Sequence, residues 1–287
     1  MKTLGYLAAD WISEHLPSPG DPSRPFVLTD DQARFVLRWY ATDGDGFVYR
    51  RALLQQAKGW GKSPLAAALA LFEFAGPALP DGTDAAGEPV GRPWGTGGSP
   101  PPWVQIAASS EDQAASNVYA LIFEFLMANH GKAATSLGID EGRTRLYLKS
   151  QPASKLETVT ASAGAREGQR VTFGLLDETH LMTQPSGGQR LARTIRRNVA
   201  KMNGRTLECA NAPELGGTSV AEQTAAEAAA IESGLLYVAR RPPVEPAPDA
   251  PDAELLEALS TSYGDAGWID RRRILAEIRD PATPWSE

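Results

Sequence analysis

Cysteine occurs once in the 287 residues, at Cys209, and histidine three times. One thiol excludes an internal disulfide framework and a multi-cysteine zinc site, and suits a reducing cytosol. No run of about 18 apolar residues is present, so no membrane span is expected. Residues 1–16 carry Asp10 and Glu14 and lack the basic-then-apolar order of a secretion signal. Basic residues are also in deficit: 28 Lys plus Arg against 35 Asp plus Glu, a net charge of −7. Taken as an average, that deficit argues against a nucleic-acid partner.

The distribution of charge reverses that last exclusion. Residues 143–205 hold twelve basic and four acidic side chains, while the flanking segments 1–142 and 206–287 are both net acidic. The middle of the chain is therefore cationic. The length accommodates one large domain or two modest ones.

Hydrophobic periodicity and breakers set the organisation. Residues 17–25, rich in Pro and Gly, read as a linker after a short amphipathic start. Thr29-Asp30-Asp31-Gln32 ahead of Phe35, Val36 and Trp39 reads as a capping box opening a helix. A strand over 48–55 precedes a glycine-containing loop and a helix over 64–75. Residues 76–102, with seven Gly and seven Pro, read as one long irregular loop. Further strands are expected at 103–107, 145–148, 156–161, 171–176 and 206–210. Helices are expected at 110–127, opened by a second capping box at Ser110-Glu111-Asp112-Gln113, and at 190–201, 218–233, 252–262 and 268–279. Residues 240–253 read as a linker or lid loop. Alternating strands and helices imply a doubly wound α/β fold with a mostly parallel sheet.

Three motifs carry chemistry. The first is Gln56-Ala57-Lys58-Gly59-Trp60-Gly61-Lys62-Ser63, between a strand and a helix. A phosphate loop needs inward backbone N–H groups, a helix N-terminus behind them, a Lys for the β/γ-phosphates and a hydroxyl for Mg²⁺. Gly61-Lys62-Ser63 supplies these, although Gln56 stands where the strict Walker A pattern has Gly. The second motif is the apolar run 171–176 closed by Asp177-Glu178, the Walker B layout. Asp177 would hold the metal and Glu178 would orient or deprotonate water. The third is Leu207-Glu208-Cys209-Ala210-Asn211-Ala212-Pro213. Asn211 is a candidate γ-phosphate sensor, or else simply starts a turn before Pro213.

In this order, with the Ala-Ala-Ser-Ser-Glu-Asp-Gln-Ala segment (107–114) between the first two motifs, the chain resembles the ATPase half of the large terminase subunit of tailed bacteriophages, over roughly residues 26–215. The resemblance implies a three-layer RecA-like ASCE P-loop ATPase core at 26–214, after an N-terminal extension at 1–25, with a lid subdomain at 215–287. The nuclease that follows in the family would have no room before Glu287. It implies that Lys58, Gly59, Trp60, Gly61, Lys62 and Ser63 bind ATP, that Ser63 and Asp177 ligate Mg²⁺, and that Glu178 and Lys62 are catalytic. Lys58 stands where the family commonly carries Arg and lacks the guanidinium fork. Gln32 matches an adenine-contacting Gln, or else serves only the capping box. Arg166, or alternatively Arg170, would be a finger reaching a neighbouring subunit.

The resemblance further implies a DNA-translocating ring on a portal protein, in company with a small terminase subunit, in the host cytoplasm. Phosphate contacts to double-stranded DNA would come from Arg193, Arg196, Arg197 and Lys201 and from the segment 143–155. The alternatives are a superfamily 2-like helicase fragment, a small-molecule kinase, and a non-catalytic capsid-docking protein with a vestigial P-loop.

Overall fold

The computed structural model describes residues 1–44, 46–108, 117–142, 145–161, 167–213, 216, 218–230, 234–247 and 249–280. In chain order the strands are β1 (Pro17–Ser18), β2 (Asp21–Pro25), β3 (Thr42–Asp43), β4 (Gly46–Phe47), β5 (Arg51–Gln55), β6 (Leu79–Thr83), β7 (Pro89–Arg92), β8 (Trp103–Ala108), β9 (Ile139–Glu141), β10 (Arg145–Leu148), β11 (Gln151–Thr160), β12 (Phe173–Leu176), β13 (Arg205–Ala210) and β14 (Leu235–Ala239). The helices are α1 (Gly5–His15), α2 (Asp30–Trp39), α3 (Lys62–Ala75), α4 (Val118–Ser136), α5 (Gly188–Lys201), α6 (Val220–Ala230), α7 (Asp252–Tyr263) and α8 (Arg271–Ile278).

Eight strands form the central sheet, in the order β14-β5-β13-β12-β8-β11-β10-β9. The first six run parallel, and β10 and β9 add an antiparallel edge. The α/β class and the mostly parallel sheet are thus as expected. Buried parallel strands need apolar residues on both faces, and every residue of β12 and β13 is buried. Alternation divides the side chains of β8, β12 and β13: Val104, Ile106, Phe173, Leu175, Leu207 and Cys209 join the main core with α3. Ala107 and Leu176 pack on the other face with Leu191, Ala192, Ile195 and Val199 of α5. Gly174 lets α5 come close, because a Cβ there would lie 2.5 Å from Ile195 Cγ2. Helices on both faces make three layers.

Local signals explain α2 and α5. The Thr29 hydroxyl and the Gln32 side chain form the reciprocal capping box. In α5 the buried positions leave Arg190, Arg193, Arg197 and Lys201 exposed along the opposite face.

Several expectations differ from the structure. Residues 17–25 are a hairpin rather than a linker, and α1 is buried in the main core through Ala8, Trp11 and Ile12. The 76–102 segment is not irregular throughout. It contains the β6–β7 hairpin, and Ala78 and Trp94 are anchored in the core; Pro is compatible with a two-stranded ribbon that has free edges. The strand expected from residue 48 begins at Arg51. Of the segment expected to form a lid, α6 packs on the sheet and β14 extends it beside β5; among the described elements of that segment, α7 and α8 lie outside that layer. The capping box at 110–113 lies outside the described residues. The helix after it ends at Met127, as expected, because Ala128–Gly131 are non-helical with Asn129 and His130 left-handed; a second helical stretch then continues to Ser136.

Candidate functional site

Strand β5 ends at Gln55, and the loop 56–61 turns the chain into α3. Gly59 and Gly61 have φ of 86° and 100°, a region that favours glycine. Gln56 is not among the positive-φ residues, so a side chain is tolerated where the strict motif has glycine. Trp60 is buried in the main core and pins the loop from beneath. No side chain caps α3, so the first-turn N–H groups have no intrahelical acceptor and face the site with the positive end of the helix dipole. Lys62 Nζ donates to the carbonyls of Gln56 (2.8 Å) and Ala57 (2.9 Å). Burial lowers its pKa to about 8, against the opposing pull of Cys209, Asp177 and Glu178.

The end of β12, with Asp177 and Glu178, meets this loop from two strands away. The Asp177 N–H donates to Ala107 O (2.8 Å), extending the β12–β8 ladder by one residue. Its carboxyl is buried and its pKa is pushed up to about 6, first by desolvation and then by the charge of Glu178; a hydrogen bond from Asn117 and the Lys62 ammonium pull the other way. Glu178 has φ of 52°, a strained setting for a non-glycine residue. The turn continues with Leu181 N–H donating to Glu178 O (2.8 Å). At the end of β13 the Asn211 N–H donates to His180 Nδ1 (3.3 Å), and the Asn211 side-chain amide lies 3.4 Å from His180 Nε2. Burial, then Lys62, lowers the His180 pKa to about 4, so the ring is neutral at pH 7.

Lys62, Ser63, Asp177, Glu178 and Asn211 line one cavity of about 620 Å³. It lies beyond the carboxyl ends of parallel strands, where α/β sheets bind ligands. Gln32 also lines it. Its Oε1 accepts from Thr29 N–H (3.1 Å), and its Nε2 would be 3.0 Å from a Cβ on Gly61. The two readings of Gln32 therefore use different atoms and are compatible. Lys58 is exposed at the rim.

The segment after α7 docks on this loop. Tyr263 donates its hydroxyl to Lys58 O (2.9 Å), and Trp268 donates Nε1–H to Gly59 O (2.9 Å). The Asp31 N–H at the start of α2 donates to Asp265 Oδ2 (2.8 Å), and Arg240 pairs with the Asp31 carboxylate.

The cationic middle third divides. Arg193, Arg197 and Lys201 are exposed. Arg196, expected among them, turns inward to Glu208 and Thr224. Its charge is spent on a buried carboxylate, so it is not a surface contact. In the segment 143–155, Arg145 pairs with Glu157 and Lys155 lies over the Trp103 ring at 3.5 Å. Arg143 and Arg166 lie outside the described residues, and Arg170 is exposed.

Sequence reasoning missed Trp268 and Asn117, and it passed over His180. Spacing held no signal for the first two, which are far along the chain from the motifs they touch. Among the described residues no group of three or more His, Cys, Asp or Glu is placed to hold a metal ion, and no helix is long and apolar enough to cross a membrane.

No protein-family model matches the chain. It is 32% identical to the Gene 13 protein of Mycobacterium phage L5 over 332 aligned positions, covering 100% of this chain and 54% of that protein. It is likewise 32% identical to the Gene 13 protein of Mycobacterium phage D29, covering 96% and 52%. The chain thus spans about half the length of the curated relatives it matches. The crystal structure of the HK97 bacteriophage large terminase superposes with a TM-score of 0.70 at 16% identity, covering 96% of this chain and 51% of that one. The chain accordingly has phage relatives and the fold of a large terminase, as the motifs led us to expect.

Proposed function

We propose that this chain is the ATP-hydrolysing motor half of a tailed-phage large terminase subunit, working to move double-stranded DNA into a procapsid. One observation carries the reading. Lys62 and Ser63 from the first turn of α3 and Asp177 and Glu178 from just after β12 line a single cavity at the carboxyl edge of a parallel sheet. The shared fold and the phage relatives support it.

The triphosphate lies along the loop, its oxygens accepting from the backbone N–H groups at the start of α3. Lys62 exchanges its two loop carbonyls for β/γ-phosphate oxygens. Ser63 and Asp177 are hard oxygen donors lining the same cavity, and both suit Mg²⁺, which keeps much of its water shell. The metal, when bound, neutralises charge developing on the phosphates. Glu178 accepts the proton of the attacking water. Asn211, held by His180, contacts the γ-phosphate. Arg166 or Arg170 of a neighbouring ring subunit completes the charge stabilisation. Helices α7 and α8, tied to the loop through Tyr263 and Trp268, respond to nucleotide state.

DNA is gripped through its phosphates by the exposed face of α5, Arg190, Arg193, Arg197 and Lys201. A portal protein and a small terminase subunit are the protein partners this role requires. The test is ATP hydrolysis with and without double-stranded DNA. Turnover that DNA accelerates in wild type and that Glu178→Gln abolishes supports the motor. Turnover indifferent to DNA favours a kinase-like or other nucleotide enzyme, and no turnover at any protein concentration favours the docking protein.

A further inference from the structure

Trp268 is the most exposed indole among the described residues, with 55% of its surface accessible, while Trp11, Trp39, Trp60 and Trp94 are buried. It is not a loose side chain. Ala266 and Tyr263 just before it are buried in the main core, and its Nε1–H is fixed on Gly59 O. Its ring lies 3.1 Å from the position a Cβ on Gly61 would take. The polar edge of the indole is thereby satisfied, and its apolar body lines the cavity. The same cavity is lined by Val27, another large apolar side chain left 67% exposed, and by Phe26 and Pro19. The Gln32 amide faces the loop between these groups, its Oε1 already engaged by Thr29.

A flat apolar platform, an aliphatic wall and an amide N–H beside a phosphate loop make a site for a heteroaromatic base. We propose that Trp268 and Val27 form the slot for the purine base of the nucleotide, which stacks on the indole while Gln32 Nε2–H donates to its edge. The proposal rests on the nucleotide reading above and extends it. Neither Trp268 nor Val27 belongs to a nucleotide motif. Because Trp268 lies between α7 and α8, a bound base adds a further tether to the contacts that already hold those helices on the loop. ADP does so as well as ATP, since both carry the base, so this added tether is lost when nucleotide leaves rather than when the γ-phosphate is cleaved.

The experiment compares binding of ATP, ADP and inorganic tripolyphosphate, each with Mg²⁺, by calorimetry to wild type, Trp268→Ala and Trp268→Phe. Base-on-aromatic stacking of ordinary strength predicts that Trp268→Ala weakens ATP and ADP about 10-fold. Tripolyphosphate, which has no base, binds unchanged, and Trp268→Phe recovers most of the loss. Nucleotide also protects wild type, but not Trp268→Ala, from acrylamide quenching of an exposed tryptophan. Equal ATP affinity in wild type and Trp268→Ala overturns the slot. So does an equal loss of tripolyphosphate binding, which would mean that Trp268 only props the loop through Gly59. Failure of wild type to bind ATP at all overturns the nucleotide reading and the slot with it, an outcome distinct from the other two.

Discussion

Arg196 reaches from α5 to Glu208 in the middle of β13, with Nη2 2.5 Å from Oε1, and Thr224 of α6 bonds to both side chains. Glu208 is fully buried, and its next cation, Arg51, is 3.8 Å away. One arginine of the basic helix is thus a strut between the sheet and two helices, while Arg193 and Arg197 on the outer face are solvent-exposed, Arg197 in an exposed pair with Glu167.

That division predicts opposite phenotypes within one helix. Arg196→Ala should lower stability by about 3 kcal/mol, since it leaves a buried carboxylate poorly compensated. Chemical denaturation measures this. Arg193→Ala with Arg197→Ala should change stability by less than about 1 kcal/mol, because the Arg197–Glu167 pair is exposed and contributes little. The same double variant should weaken DNA stimulation of the ATPase and reduce the salt slope of DNA binding by about 2. Unchanged stimulation would remove α5 from the DNA path.

Asp177 should oppose folding in the nucleotide-free protein. Its pKa rises from an ordinary 3.8 to about 6 in the fold. The folded state therefore holds the proton more tightly than the unfolded one, and stability is lost as pH climbs from about 4 to about 6. At pH 7 the full cost, about 3 kcal/mol, is present. Asp177→Asn should be more stable than wild type by about that amount at pH 7, with the gap closing towards pH 4. Paired urea titrations at the two pH values check the sign, and Mg²⁺-nucleotide should stabilise wild type only.

Gly61→Ala tests the loop geometry. The φ of 100° and the approach of Gln32 and Trp268 leave little room for a methyl group. Strain of about 1–3 kcal/mol is expected. Binding of tripolyphosphate, read by calorimetry, should fall with it because the first N–H groups of α3 are displaced.

The Glu73–Arg205 pair lies deep in the core, with both side chains 2% exposed. Arg205 is stacked by Trp39, Tyr40 and Phe47 and also donates to Trp39 O, while Glu73 accepts from Tyr40 and Trp94. Glu73→Leu alone should cost about 3–5 kcal/mol by stranding the guanidinium. The double variant Glu73→Leu with Arg205→Met should recover most of that loss. Thermal melts of the single and double variants measure the difference.

Motifs close in sequence were legible because their geometry is local. A capping box needs only residues three apart, and Thr29 and Gln32 form one. Lys62 and Ser63 follow the loop glycines directly, and Asp177 and Glu178 close a strand whose apolar run announces its burial. Composition misled where local rules permit more than one outcome. The Pro- and Gly-rich 76–102 segment forms a hairpin because a free ribbon edge tolerates missing donors. The edge strand β14 was passed over because five residues after a long helix hold too weak a pattern to separate from a loop.

The sequence by itself determined the α/β class, the order of the three motifs and the residue types at the site, since each depends on short-range periodicity, turn chemistry or spacing. Only the tertiary structure decided that Arg196 faces inward while Arg193 and Arg197 face outward, because Arg196 is rotated about 100° round the helix from Arg197, at the border of the buried face, and the acceptor, Glu208, comes from a strand of the sheet. It alone brought Trp268, more than 200 residues from Gly59 along the chain, onto that glycine's carbonyl. Such a contact follows from how α7 and α8 pack on the core, which no local pattern encodes.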